Sequence, residues 1–580
     1  MTTAAEMRPG MLRWPSGHEV APRSGGNGRR SLEQQRWLAP LLLGIAAALI
    51  YTIQLGADPA NHDELHHVLA ARSLLATGEP RLVDGIYSRG YAYTWLVAQS
   101  FRLFGDSLAA ARLPALLAGA ALVPVLFVWL RAEAGPRAAW TTTILYALSP
   151  FAVELAQFAR FYTLQSLAFF LGAIALHRAL LGPGAAWHRL MLLGAAAGAL
   201  FFANQLQPTT IMGLVGLTVW GALAVALPWL IAPTTSPMQR LVAVLAATAL
   251  VAVVALAAWQ TGLVAKFWQL YRETPLFLER NSDEFWYYHV WYSLYYPSLW
   301  PAVGLLGLAG LAAWPRPGLL VLAVFATAFV LNSLGGAKAL RYMAYAQPFL
   351  FALWGLGLAA VWDGLVLFLG GTRRRLADLS GSLPPGWSGR LASTLVGGAL
   401  ACLVLANPAW VRSVSLLARV TVPGEEPNID WLAVQPILAP LVDRAGIVVT
   451  TAELETLYYL GRYDLLLNRS RLSELRPPEA REFGRDWRTG RPVIATEASL
   501  ARVIECYPSG LFVSPELAWK RPAHIDQPAK AMVEERGTPV PLPPRSHVLA
   551  WTWEHPATAG RPAYCAELDA MGFGRDRRLG

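Results

Sequence analysis

Lysine is nearly missing from this sequence: Lys266, Lys338, Lys520 and Lys530 are the four among 580 residues. Charge as a whole is thin, at 15% against 55% hydrophobic, where soluble globular domains carry roughly a quarter charged residues. That shortage excludes an ordinary soluble protein and places the chain in a bilayer. Cysteine is scarce too, and the spacing of the three excludes a thiolate metal site. Cys402 lies in an apolar run, while Cys506 and Cys565 fall in a polar C-terminal stretch, where an oxidising compartment would let them pair. There is no internal repeat, no full zincin pattern and no Gly-rich phosphate loop. The net charge of +10 does not indicate a nucleic-acid partner, because the arginines sit in short gaps between apolar runs instead of collecting on one face.

Residues 1–36 are rich in Gly, Pro and Arg without periodicity and read as a disordered cytoplasmic N-terminus. The apolar run that follows is too long and too late for a cleaved signal peptide, so it reads as an anchor. At about 20 apolar residues per crossing, spans are expected near 37–55, 111–130, 139–153, 162–181, 190–203, 209–231, 241–262, 296–314, 319–331, 342–369 and 391–408, about eleven in all. Gaps with Arg131 and Arg137, Arg178 and Arg189, Arg240, Arg316, and the group Arg373, Arg374, Arg375 and Arg390 alternate with Arg-poor gaps, as cytoplasmic loops should. The triple Arg at 373–375 reads as a topogenic loop. With the N-terminus inside, an odd span count puts the C-terminus outside. The expected fold is an α-helical polytopic membrane protein, multi-pass in the plasma membrane, with 37–411 as its transmembrane module. Residues 412–580 have the composition of a soluble extracytoplasmic domain. A β-branched run at 446–451, a helical pattern at 453–460, the Thr489-Gly490-Arg491 turn and a strand at 492–495 make it α/β.

This topology sends residues 56–110, 154–161, 263–295 and 335–341 to one outer side. In the first, Asn61-His62-Asp63-Glu64 opens a helix running to Gly78. An acidic pair in a loop is usually solvated or caps a helix, but a carboxylate against the membrane face is partly desolvated and can take a proton from a hydroxyl. Residues 91–104 are apolar but short, and read as a helix lying in the interface. The second carries Glu154 and Ala159-Arg160-Phe161-Tyr162, where Arg and Tyr are also common interfacial anchors. In the fourth, Lys338-Ala-Leu-Arg341-Tyr342 precedes Gln347-Pro348. Two cations at a membrane entrance suit a lipid-borne phosphate, although snorkelling anchors look the same in so short a window. An aromatic run from Phe285 to Trp300 reads as an interfacial belt, with Asp283, Glu284 and His289 able to reach a sugar. His62 and His66, one helical turn apart beside His67, leave room for a divalent cation such as Mg or Mn, though helix-surface histidines are the commoner case. Asn204, Gln205 and Gln207 are polar enough to touch a substrate, with capping roles the plainer account.

An acidic pair just past the first span, a helix ending in Gly, an interfacial helix, and Ala111-Arg112-Leu113-Pro114 opening the second span together resemble the GT-C glycosyltransferases. Within that superfamily the chain is similar to the protein O-mannosyltransferases and the aminoarabinose transferases that modify lipid A. The resemblance implies a transmembrane catalytic module over most of 37–369 and an inverting transfer of a hexose or pentose from a polyprenyl-phosphate donor to a lipid, glycan or protein hydroxyl. It puts the catalytic carboxylate on Asp63 with Glu64 assisting. Lys338, Arg341 and Arg160 fall to the donor phosphate; from their place on the same outer side, Tyr162, Tyr342, His66, His67, Glu154 and His289 are expected at the substrate. The chain departs from the aminoarabinose branch, having His66, His67 and then Arg89-Gly90-Tyr91 where that branch has an Arg and a Lys-Pro-Pro element. Two other classes compete. A lipid-linked sugar flippase or transporter would place ionisable groups in mid-span and show paired broken helices, and a non-catalytic assembly partner would need fewer spans than these.

Overall fold

The computed structural model describes residues 29–265, 268, 285–335, 338–380, 387–420, 429–474, 483–486, 488–521, 525–556 and 561–572, with the backbone alone at 29–36, 370–380 and 387–392. Of the disorder expected over residues 1–36, positions 1–28 lie outside the described residues, whereas 29–36 differ from it and form the start of the helix Arg29–Thr52. The positions of Asp283 and Glu284 also lie outside the described residues, as do the side chains of Arg373, Arg374, Arg375 and Arg390.

Every one of the eleven expected crossings coincides with a helix, but the helices differ in length. Seven are long and apolar enough to cross a membrane: Leu108–Ala134, Tyr162–Leu181, Ala186–Leu206, Thr210–Ile231, Pro237–Gln260, Pro315–Leu334 and the run Leu340–Leu369. An eighth crossing forms if Ser393–Leu405 and Ala409–Ala418, bent by 56°, count as one. Three positions hold shorter helices: Trp37–Thr52, Pro136–Ala147 and Val303–Ala313. Proline, which cannot donate within a helix, marks the breaks beside the second and third of these and at the final bend. Pro150 opens a separate helix, Pro150–Ala156, whose cap is the Ser149 hydroxyl accepting from the Ala152 amide. Pro297 and Pro301 delay the helix expected from 296, and Pro408 stands at the final bend.

Leu108–Ala134, Pro315–Leu334 and Leu340–Leu369 bury more than half of their apolar windows and form the centre of the bundle, whereas Pro237–Gln260 buries 6% and faces outward almost all round. Close helix approach depends on small residues, the usual device where lipid is as apolar as the side chains. A methyl at Gly355 would collide with Thr142.

Outside the bundle, Asn61 caps the helix His62–Thr77 through a capping box with Glu64, and Gly78, at φ 81°, ends it. A two-stranded hairpin follows, Arg81–Leu82 against Gly85–Ile86. The helix Tyr91–Phe104 then buries Tyr93, Val97 and Phe101 while exposing Tyr91, Trp95, Leu103 and Phe104. That division suits a helix lying at a membrane surface.

The C-terminal domain is a seven-stranded sheet in the order Phe483–Arg485, Pro492–Ile494, Leu465–Leu467, Ile447–Thr450, Ser509–Pro515, Val548–Glu554, Thr538–Pro539. Its middle four strands are parallel and the outer strands antiparallel. Alternate side chains serve two cores, as the strand repeat of two requires. Ile447, Val449, Leu465 and Phe512 face one way, toward the helices Glu497–Cys506 and Gln527–Arg536. Val448, Leu466, Leu511 and Val513 face the other, in a single core with Trp431, Leu457 and with Leu65, Leu69, Tyr93 and Val97 of the first external segment. The external helix and the sheet domain are therefore packed as one body on that side. Cys506 and Cys565 form a disulfide between the helices Glu497–Cys506 and Ala563–Ala570, and Cys402 is free.

Candidate active site

The first turn of the helix His62–Thr77 holds two carboxylates in contrasting environments. Glu64 is 1% exposed and fully engaged. Its Oε1 and Oε2 each accept from Arg112, from Nε and Nη2, at 2.8 Å, Oε1 also accepts from the Ala159 amide at 2.7 Å, and Oε2 from the Asn61 amide at 2.9 Å. Arg112 further donates to the carbonyls of Leu55, Asp58 and Pro59. A bidentate pair so enclosed ties the end of the first span, the start of the second and the 159 turn together. Removing either partner would strand a buried charge.

Asp63, the next residue back, faces an opening, with a quarter of its side chain exposed. Arg341 Nη2 lies 3.0 Å from its Oδ2 and Arg160 Nη2 3.8 Å from its Oδ1. Burial pushes the carboxyl upward, but Arg160 and Arg341, then His66 and His62, outweigh burial and hold it well below the usual carboxylate range. It is an anion at every working pH. Arg160 is buried, and its Nη1 donates to the Asp63 carbonyl at 2.9 Å and the Tyr87 hydroxyl at 3.0 Å. It thus fixes both the backbone and the charge of Asp63. Arg341 is the more open cation, with 39% of its side chain exposed. It lies over the Tyr342 ring at 5.7 Å and bonds Tyr162. Lys338 is buried, three residues before Arg341, and its Nζ donates to the Gly335 carbonyl at 2.8 Å.

The three histidines behave differently from one another. His67 is fully buried, its Nδ1 paired with the Thr94 hydroxyl at 2.8 Å and its ring packed among Tyr87, Tyr93 and Phe161. His66 Nδ1 meets the His62 carbonyl at 3.1 Å. Burial pushes both rings toward the neutral form. His62 instead points to the sheet domain, with Nδ1 3.1 Å from Glu455 Oε2. Among the described residues no group of three or more His, Cys, Asp or Glu side chains is placed to hold a metal ion. A divalent cation at His62 and His66, a question the sequence leaves open, would compete with Arg160 and Arg341 for Asp63, and His62 is already engaged by Glu455.

Gly90 shows why the chain turns as it does beside Arg160. Its φ is 62°, and a Cβ there would lie 2.5 Å from Phe161, so both conformation and space call for glycine. The preceding Arg89 donates to Gln207 Oε1 at 2.7 Å, and Gln207 caps the helix Ala186–Leu206, the plainer of the two roles read for it.

A cavity of about 190 Å³ opens beside Arg341 and is lined by Asn61, Glu154, Tyr287, Trp291 and Gln347. A second, about 440 Å³, lies between the first external segment and the sheet domain, where Asp58, His62, Arg412, Arg419 and Trp431 meet. The two share Asn61, Glu154 and Phe158. His289 lines neither; its Nδ1 accepts from Trp300 Nε1 at 2.9 Å. An apolar groove of about 730 Å³ runs between Trp37–Thr52 and Leu108–Ala134, and none of these site residues lines it. Asp63, Arg160, Arg341, Tyr162 and Tyr342 thus meet at one place and Glu154 lines the cavity beside Arg341, while Lys338 is buried against the Gly335 carbonyl and lines neither cavity. The roles of Arg112, Tyr87 and Glu455 were not read from the sequence. The signal for Arg112 was visible, an arginine at the outer end of an apolar span.

The helical bundle, the segment 56–110 beside it and the C-terminal sheet domain give this chain a fold that solved membrane-protein structures share. No family model and no curated protein matches the sequence. Among solved structures it is similar to ArnT from Cupriavidus metallidurans, in the apo state and bound to undecaprenyl phosphate. The TM-score is 0.55 in both, with 15% identity over 90% of this chain and 98% and 99% of those chains. It is also similar to the oligosaccharyltransferase AglB from Archaeoglobus fulgidus in complex with an inhibitory peptide and a dolichol-phosphate. There the TM-score is 0.50 at 15% identity, over 83% of this chain and 70% of that one.

Proposed function

We propose that this protein moves a sugar from a polyprenyl-phosphate carrier to a hydroxyl of a lipid, glycan or protein acceptor on the outer face of the plasma membrane, with inversion at the anomeric carbon. The observation that carries the reading is the Asp63–Arg341 pair, 3.0 Å apart, whose arginine lines a cavity. A carboxylate and a phosphate-seeking cation stand where one bound sugar would touch both.

In the resting protein Arg341 is occupied by Asp63. An arriving phosphate competes for the guanidinium, and as Arg341 turns to it Asp63 loses part of the field that depresses its basicity. The acceptor proton then passes to Asp63 Oδ while the hydroxyl oxygen bonds the anomeric carbon. The bond from that carbon to the phosphate oxygen breaks, with its electron pair leaving on the phosphate. Arg341 and Lys338 stabilise the extra charge, so no general acid is needed. Arg160 holds Asp63 in register, and Glu64, through Arg112, keeps the helix start in place. Tyr162 and Tyr342 orient Arg341.

Several features agree with this reading. The Cys506–Cys565 bond suits an oxidising compartment outside the cytoplasm, as does the distribution of arginine along the chain. Structures of similar fold hold undecaprenyl phosphate and a dolichol-phosphate. Purified protein in detergent, given a panel of radiolabelled polyprenyl-phosphate sugars, should transfer label to an acceptor only when Asp63 is present. Equal turnover by an Asp63→Asn variant would overturn the assignment.

A further inference from the structure

We propose that the sheet domain positions Asp63 for catalysis through Glu455, which with Glu453 clasps the neighbouring His62; Glu455 is a positioning residue of the active site. This rests on the reading of Asp63 as the base.

The helix Glu453–Leu460 starts where the strand Ile447–Thr450 leaves the sheet, and the Thr450 hydroxyl accepts from the Ala452 amide to turn the chain. Both glutamates fall in its first turn, where the backbone amides favour negative charge. Both are also enclosed, with side chains 3% and 11% exposed. Carboxylates so enclosed need cations or donors. Glu453 has Arg471 Nη2 at 3.4 Å and His62 Nε2 at 3.8 Å, and Glu455 has His62 Nδ1 at 3.1 and 3.2 Å from its two oxygens. His62 is thus bound at Nδ1 and faced at Nε2 by glutamates almost four hundred residues later in the chain. Other contacts keep the same helix in place. The Ala60 amide donates to the Tyr459 hydroxyl at 2.8 Å, Trp431 stacks on the Tyr459 ring, and Arg72 lies 4.4 Å from the centre of the Tyr458 ring.

Asp63 is consequently held from two sides. From the bundle, Arg160 and Arg341 hold its carbonyl and carboxylate. From the sheet domain, His62 is fixed one peptide away, about 3.8 Å between α-carbons, so a shift of His62 is transmitted directly. A misplacement of about 1 Å near a reacting group can cost about a hundredfold in rate.

The groups facing His62 are Glu453 and Glu455 from the sheet domain and Asp63 and His66 from its own helix, with Arg471 behind Glu453. Burial would discharge the ring, but Glu455 and Glu453 outweigh burial and raise its pKa to about 9. Because this lies above the value of an unfolded histidine, about 6.5, the clasp is at full strength below that value and is lost as pH rises through about 9.

The test compares full-length wild type with Glu455→Gln, Glu455→Asp and His62→Gln in detergent, from about pH 6 to pH 10, measuring kcat and KM for the labelled donor that wild type uses, and melting temperature without substrate. Glu455→Gln should lower kcat about 10- to 100-fold with donor KM changed less than about threefold, and Glu455→Asp should restore part of it. In wild type both kcat and melting temperature should fall near pH 9, and in Glu455→Gln the fall should move toward the ordinary histidine value. Glu455→Gln activity within about twofold of wild type, or a fall near pH 9 that His62→Gln retains, would overturn the proposal. Should wild type use no donor, the reading of Asp63 as base fails on its own. The substrate-free melting limb still decides the clasp, since its absence from wild type would remove it.

Discussion

Asp63→Asn is the most informative single change, because the pairing with Arg341 makes it act on binding and on chemistry in opposite directions. Asparagine has the shape of aspartate, so the capping of the helix by Asn61 and the contact of Arg160 with the carbonyl of residue 63 persist. What is lost is one negative charge, 3.0 Å from a guanidinium whose side chain is 39% exposed. A partly solvated pair of this kind is worth about 1 kcal/mol. In wild type the donor phosphate must break that pair to reach Arg341; in the variant the cation is already released. Donor affinity should therefore improve by about fivefold, while turnover falls by about a hundred- to ten-thousandfold for want of a base. Equilibrium binding of a radiolabelled polyprenyl-phosphate sugar gives the first number and single-turnover transfer the second. An Asp63→Asn protein that binds donor less well than wild type would refute the exchange of partners at Arg341, and one that still transfers sugar would refute the base.

Arg112→Ala leaves Glu64 buried and unpaired and should destabilise the protein by about 3–5 kcal/mol, seen as a large fall in detergent melting temperature, whereas replacing Arg112 and Glu64 together should recover part of the loss. Gly90→Ala forces a side chain into a left-handed backbone position against Phe161; a cost of about 1–3 kcal/mol is expected, with a rise in donor KM as Arg160 shifts. Reducing the Cys506–Cys565 bond frees a loop spanning 59 residues, for which chain entropy gives about 4 kcal/mol, so dithiothreitol should lower the melting temperature of the sheet domain. Asp63 should show no titration between about pH 5 and pH 8 in the donor-free protein, since its depressed pKa places any loss of charge, and of the stability that charge supplies, further into acid; difference infrared spectroscopy against Asp63→Asn reads this.

Where local chemistry determines structure, the sequence was readable to the residue. The helices Tyr91–Phe104 and Glu453–Leu460 have the expected bounds, and the helix His62–Thr77 ends at the expected Gly78. Apolar length located every membrane helix, but it did not reveal the break at Ser149-Pro150, because an apolar run looks continuous until a proline's missing donor is weighed. The meeting of Asp63, Arg160 and Arg341 followed from the topology, which put their turns on one rim. Glu64 shows the limit of such reading. Adjacent to Asp63 and chemically the same, it turns inward to Arg112, and only the packing distinguishes the two. Glu455 could not be connected to the site at all from sequence, since no local pattern joins residues 393 apart.

That separation bears on how the protein is made. The first external segment shares one hydrophobic core with the sheet domain, yet at roughly 5–20 residues per second the ribosome finishes His62 about 20–80 s before it reaches Glu455. Until then Leu65, Leu69, Tyr93 and Val97 lack the part of that core which the sheet domain supplies. The contact between His62 and Glu455 can form only after that wait.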